Sequence, residues 1–277
     1  MQHTPLTLEE VQAVTLDIMV HIDAFCRERG IAYSLGYGSA LGAVRHGGFI
    51  PWDDDMDLVM RREEYERFLK EFSDPTGRYV CLSFEAGTYP YPFVKIVDTH
   101  TVQQPANMKP VANMGIGVDI FPYDTFRGED TARILKQKAR ASAVFKRLRY
   151  TRYNSLSEVN AGRFLPVHTL FYLWCNLWGT KFYRNKLLRR MRRMRGEGPF
   201  LGLCASMETD IRKIYDRDLF DSLVECEFAG HRFFLFADAH RYLCGVYGDS
   251  YMTPPPPEKR IAHIALSYFK EEGEAQA

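Results

Sequence analysis

Residues 38–60 read GSALGAVRHGGFIPWDDDMDLVM, and the rest of the fold follows from them. Gly38-Ser39 interrupts the apolar, β-prone run from Ile31 to Tyr37. Ala40 to Arg45 has helical character, with Ser39 placed as N-cap and Gly47-Gly48 as its stop. The chain then passes through Ile50-Pro51-Trp52 into an acidic turn and a strand, Asp53 to Met60. Strand, glycine bend, helix, acidic strand is an order that sets free helix N–H groups beside carboxylates on one sheet edge.

Working outward, residues 7–29 repeat apolar side chains at helical spacing and Gly30 closes the run. Arg62–Phe72 reads as a second long helix, and Tyr79–Phe84, Phe93–Val97 and Val118–Phe121 read as strands. The expected class is α+β: a mixed sheet with flanking helices. From about residue 129 the character changes. Helical stretches at 131–152 and 181–195 enclose a segment rich in Trp174, Trp178, Phe171 and Tyr172. A hairpin at 228–233 and a helix at 237–246 follow, before Gly248 and Pro254–Pro257 end the regular structure. The expected division is a core at 1–128, a basic helical insert at 129–197, and a part at 198–277 that packs back on the core.

The chain has 277 residues, 46% hydrophobic and 26% charged, the composition of a folded globular protein. No apolar run is long enough to span a bilayer. Glu9, Glu10, Asp17 and Asp23 argue against a secretory signal, so a cytoplasmic location is expected. The six cysteines contain no C-x-x-C pair, and neither a Walker motif nor G-x-G-x-x-G occurs. The net charge of +1 conceals a division: residues 136–195 carry +15 and the remainder −14. Such a basic segment faces an anionic partner or simply solvent.

Asp55 and Asp57 stand two residues apart, which on a strand puts both side chains on one face. Their repulsion, sharpened by apolar neighbours, is relieved by a divalent cation, and Mg²⁺ (or Mn²⁺) shared with substrate phosphates suits hard oxygen ligands. Gly38 and Ser39 lie where a phosphate would be cradled. Asp119, an acid within the apolar run Val118–Phe121, is the candidate third ligand or general base, with Asp124 as runner-up. The bland alternatives are a solvated acidic face for the pair and a buried ion pair for Asp119. Metal, phosphate cradle and an aimed hydroxyl are the minimum for phosphoryl transfer.

The run Gly38–Asp57 resembles the signature of the LicD family, which includes bacterial phosphocholine transferases and is related to fukutin and fukutin-related protein. Phe93-Val94-Lys95-Ile96, Val118–Pro122, and the tail Tyr247–Met252 through Pro255, Glu258-Lys259-Arg260 and His263 carry further resemblance. It covers about 8–126 and 200–265, and leaves 129–197 without a family motif. It implies a nucleotidyltransferase-like fold and transfer of a phospho-alcohol, most simply phosphocholine, from a CDP-linked donor to a glycan hydroxyl with release of CMP. Metal ligands then fall on Asp55, Asp57 and Asp119. The alternative chemistry is transfer of NMP to a small molecule or protein.

Lys95 would neutralise transition-state charge, or face solvent. Arg45 and His46 would bind phosphate, or ion-pair with Asp53 or Asp54. Arg260 and His263 would close over the donor, or serve packing. A choline cage would draw on Trp52, Tyr37, Tyr89, Tyr91 and Phe93. The acceptor is expected to be a glycan or glycolipid. The basic segment 136–195 would touch an anionic membrane, or form a helical subdomain with solvated arginines. A nucleic-acid partner is not expected, because the acids would then have no role.

Overall fold

The computed structural model describes residues 4–103, 108–154, 165–206, 213–260 and 266–270. His263 lies outside them. Helix α1 (Leu8–Arg29) begins at a capping box, in which Thr7 and Glu10 satisfy each other's backbone N–H groups, and ends at Gly30 in a left-handed conformation. Its inward stripe buries Ile18, Met19 and Ile22 completely. Truncating any one of these to Ala would cost ~2–5 kcal/mol.

Strand β1 (Ser34–Leu35) leads to helix α2 (Tyr37–His46), strand β2 (Met56–Arg61) and helix α3 (Arg62–Glu71). Then come β3 (Tyr79–Ser83), β4 (Val94–Asp98), β5 (Thr101–Gln103) and β6 (Gly117–Thr125). The main sheet runs β1-β2-β6-β4-β3. Strands β2 and β6 are parallel and the other pairs antiparallel, so the sheet is mixed. The class is α+β, as expected.

Helices α4 (Thr131–Tyr150) and α5 (Leu165–Met194) pack against each other and share an apolar cluster with Phe84, Phe126 and Cys204. Strands β7 (Phe200–Gly202) and β8 (Tyr215–Asp216) extend the sheet from β6. A hairpin of β9 (Leu223–Phe228) and β10 (His231–Phe236), helix α6 (Ala239–Tyr247) and β11 (Ser267–Phe269), which pairs with β5, complete the described chain. The hairpin and α6 join the cluster that contains α1 and the sheet.

Several boundaries differ from the sequence reading, each for a local reason. The strand expected over 31–37 is only two residues, because Tyr37 already opens α2. The cap position of α2 is Gly36, not Ser39, whose hydroxyl is committed elsewhere. The acidic strand begins at Met56, so Asp53–Asp55 form its entrance rather than its first rungs. The aromatic segment between the two basic stretches is itself helical. It continues into the second of them across a single break at Gly179 (φ +72°, ψ 168°).

Candidate active site

Two hydrogen bonds fasten the glycine-serine bend to the acidic strand at one residue. The Gly36 N–H donates to the Asp57 carbonyl (2.8 Å), and the Asp57 N–H donates to Ser39 Oγ (2.8 Å). Tyr37, between them, has φ +40°, a conformation costly for a residue with a Cβ. Its N–H is held by the Tyr242 hydroxyl at 3.1 Å. Gly38 sits against the acidic turn so closely that a Cβ there would lie 2.5 Å from Asp53 Oδ2. From the other side, Gln12 Nε2 of α1 donates to the Asp53 carbonyl at 2.7 Å.

The sheet then aligns the charged residues in one row. Asp57 of β2 pairs in register with Asp119 of β6, and Asp119 with Lys95 of β4. Register partners project to the same face of a sheet. Lys95 Nζ donates to Asp119 Oδ1 at 2.8 Å, and both side chains are largely buried. Lys95 therefore does not face solvent, and Asp119 is at once a buried ion-pair partner and a wall of the site.

A cavity of about 480 Å³ opens over this row. Asp53, Asp55, Asp57, Asp119 and Gly38 line it. Tyr37, Tyr91, Phe93, Phe121, Phe145 and Tyr247 supply aromatic surface, and Arg149 and Lys213 supply cationic groups. The rings brace one another: Phe93 and Phe121 lie 4.4 Å apart between centroids, and Tyr37 and Phe121 5.0 Å. Lys213 Nζ stands 5.8 Å over the Tyr37 ring.

Electrostatics record the crowding. Burial, with Asp55 and Asp54 beside it, pushes the Asp53 carboxyl up to about 7. Burial and the charges of Asp55, Asp119 and Asp53 push Asp57 well above its ordinary value. Burial also raises Asp119, although Lys95 opposes this. Burial works against the Lys95 ammonium, but Asp119, Asp55 and Asp57 outweigh it and hold its pKa above the usual lysine range. Among the described residues, the three carboxylates with oxygens all within 4.8 Å of one another are Asp53, Asp54 and Asp55. Hard oxygen donors of this kind suit a hard divalent cation, although among the described residues the expected trio Asp55, Asp57 and Asp119 shares the cavity without its oxygens all lying within 4.8 Å of one another.

Residues 30–151 match the family model of the LicD/FKTN/FKRP nucleotidyltransferase domain. This stretch is similar to that domain. A curated relative, the lipopolysaccharide cholinephosphotransferase LicD of Haemophilus influenzae, is 29% identical over 274 residues. The alignment spans 95% of this chain and 98% of the relative. The LicD match runs through α4, so the basic region is not outside the resemblance, as the absence of a recognisable motif had implied.

The fold brings Gly38, Asp55, Asp57 and Asp119 to one cavity, with Lys95 behind Asp119. Ser39 is buried beneath them, tying loop to strand. The tail and the α2 end form a separate cluster. The Arg260 guanidinium stacks 5.2 Å over the Trp52 ring, and Trp52 is absent from the cavity lining. Arg45 donates to the Tyr251 carbonyl (2.9 Å) and to His46 Nε2 (3.0 Å). Among the described residues neither Arg45 nor His46 pairs with Asp53 or Asp54. Burial, with Arg260 nearby, holds Arg45 below its ordinary value, and burial with Arg45 does the same to His46.

Asp124 is not a ligand candidate. It is fully buried and clamped by Arg62 Nε at 2.7 Å, Arg62 Nη2 at 3.1 Å and Arg195 Nε at 2.7 Å. Of the expected cage, Tyr37, Tyr91 and Phe93 line the cavity, while Tyr89 is buried behind them. Sequence reading missed Phe121, Phe145, Arg149, Lys213 and Tyr247. Phe145 and Arg149 are four apart on α4, but no local signal shows which face of that helix meets the sheet.

Proposed function

We propose that this chain is a transferase that moves phosphocholine from CDP-choline to a glycan hydroxyl and releases CMP, with Mg²⁺ (or Mn²⁺) as cofactor. The observation that carries the reading is a single cavity lined at once by carboxylates, braced aromatic rings and two cationic groups. A quaternary ammonium offers no hydrogen bond and is held by ring faces, while the adjoining diphosphate needs cations. Tyr37, Tyr91, Phe93, Phe121 and Phe145 supply the first requirement; Arg149 and Lys213 supply the second.

Asp55, Asp57 and Asp119 would hold the metal, with Asp53 supporting them. Bound there, the cation supplies neutralising charge to phosphate oxygens. In the transfer the acceptor oxygen forms a bond to the choline-bearing phosphorus, the bridge to the CMP phosphate breaks, and the hydroxyl proton passes to a carboxylate of the cluster. Asp119 serves as ligand or base through the oxygen that Lys95 leaves open. Lys95 keeps the crowded carboxylates compatible with one another. Gly38 lets the backbone approach a phosphate that a side chain would exclude. The reading carries the relative's named activity to this chain, places it in the cytoplasm, and makes its acceptor a glycan or glycolipid.

Incubating the protein with a panel of CDP-alcohols, with and without Mg²⁺ or Mn²⁺, tests this directly. Slow metal-dependent conversion of CDP-choline to CMP is expected even without acceptor. Pyrophosphate release from a nucleoside triphosphate, with CDP-choline untouched, would replace the reading with nucleotidyl transfer.

A further inference from the structure

The first half of α5 presents an apolar stripe to solvent. Val167, Leu170, Leu173, Trp174, Leu177 and Trp178 are 66, 70, 58, 55, 77 and 47% exposed. Their spacing of three and four places them along one side of the helix. The opposite side is held in place: Cys175 is buried, and Phe171 meets the Tyr150 ring of α4 at 4.8 Å. Stray surface leucines need no explanation, but six large apolar side chains in one stripe do.

Charge identifies what covers the stripe. Between them, α4 and α5 contain fourteen Lys and Arg and no acid. Several border the stripe itself. Lys186 stands 5.4 Å over Phe182, which stacks on Trp178 at 4.8 Å, while Arg147 stands 5.9 Å over Phe171 on the packed side. Lys181 is exposed one turn beyond. Tryptophans at an apolar edge beside lysine and arginine match the boundary between lipid headgroups and acyl chains. A second copy packed stripe to stripe would bring the same fourteen cations and no compensating acids on these helices. Among the described residues no helix is long and apolar enough to cross a membrane, so this one lies along the surface.

Gly179 gives the device its shape. Its left-handed φ breaks the helix between the exposed apolar half and the basic half. Beyond the break, Tyr183, Leu187 and Met191 are buried in the cluster shared with α4. One half can lie flat on a bilayer while the other remains anchored in the molecule.

We propose that the α5 stripe, Val167 to Trp178, docks this chain on an anionic lipid surface. This inference deepens the transferase reading and rests on it in one respect: α4, which backs the stripe, also lines the catalytic cavity through Phe145 and Arg149. A glycolipid acceptor would thus be met at the membrane from which it projects.

The test is flotation of the full chain with phosphatidylcholine vesicles, with or without phosphatidylglycerol. The comparison is the triple substitution L170S/W174Q/L177S, with circular dichroism and CDP-choline hydrolysis measured in parallel. Wild type should float with the anionic vesicles. The exposed triple substitution should retain its spectrum and bind about tenfold or more weakly. Equal flotation of wild type and variant, or no flotation of wild type, overturns the docking. So does a wild-type dimer, seen by light scattering, that the substitutions dissociate without any vesicle binding. Hydrolysis reports separately: its absence in a protein that floats would sink the transferase reading and leave the docking intact.

Discussion

The sheet and the α4–α5 pair solve opposite problems with charge. On the sheet, acids are gathered where they repel, and the protein holds them there with Lys95, with the Ser39 tie and with close packing at Gly38. On α4 and α5, most cations lie on outward surfaces where solvent relieves them, with Lys138 buried and Arg149 at the cavity, while apolar side chains are left exposed. Concentrated like charge inside a fold marks a place built for a counter-ion. Dispersed like charge outside is relieved by solvent. The difference teaches that net charge, here +1, says little until each sign is located.

Four experiments break or sharpen this contrast. Asp57→Asn should have the largest effect, a loss of ~10³-fold or more in CDP-choline turnover with an unchanged circular dichroism spectrum. Activity above a few per cent would remove Asp57 from the machinery. Next in size is the clamp that joins the two regions. Asp124→Ala leaves two guanidinium groups without their carboxylate and should cost ~3–5 kcal/mol in urea unfolding. A cost within about 0.5 kcal/mol, the range of an ordinary surface change, would show that the clamp is idle.

Arg149→Ala tests whether the basic region reaches the chemistry. About a tenfold drop in kcat/KM is expected, with stability changed by less than ~0.5 kcal/mol. An unchanged kcat/KM would confine α4 to scaffolding.

The smallest effect is the pH dependence of the acid cluster. In the folded, metal-free chain Asp53 holds its proton up to about pH 7, whereas unfolded it releases it near 3.8. Between those values the unfolded state binds fewer protons, so the contribution is present at low pH and is lost as pH rises toward 7. Asp57, also raised, adds in the same direction. Metal-free wild type should therefore lose Tm relative to Asp53→Asn on going from about pH 4 to about pH 7. Added Mg²⁺ should recover more at the upper end. A gap that is flat in pH would mean the carboxylates are not crowded.

Much of the catalytic half was legible because its signals are local. Asp55, Asp57 and the Gly38-Ser39 bend lie within twenty residues, and Asp119 announces itself as an acid in an apolar strand. Lys95 was legible as a residue but not in its role, because pairing with Asp119 depends on strand order, which periodicity does not encode. The N-cap assigned to Ser39 failed because a tertiary bond to the Asp57 N–H outcompeted a local one. Trp52 was drawn to the cage by proximity in sequence, yet Arg260, more than two hundred residues later, occupies its face. Phe145, Arg149, Lys213 and Tyr247 reach the cavity only through the packing of distant segments, and such contacts leave no spacing to read.

The Asp124 clamp has one more consequence. It draws Arg195, from just beyond the end of α5, onto the very strand that carries Asp119. A fragment ending ahead of α4 would strip one cation from that carboxylate and open Phe84 and Phe126 to water. Cutting the chain there would unsettle the strand behind its chemistry. The catalytic strand and the basic helices thus stand or fall as one folding unit.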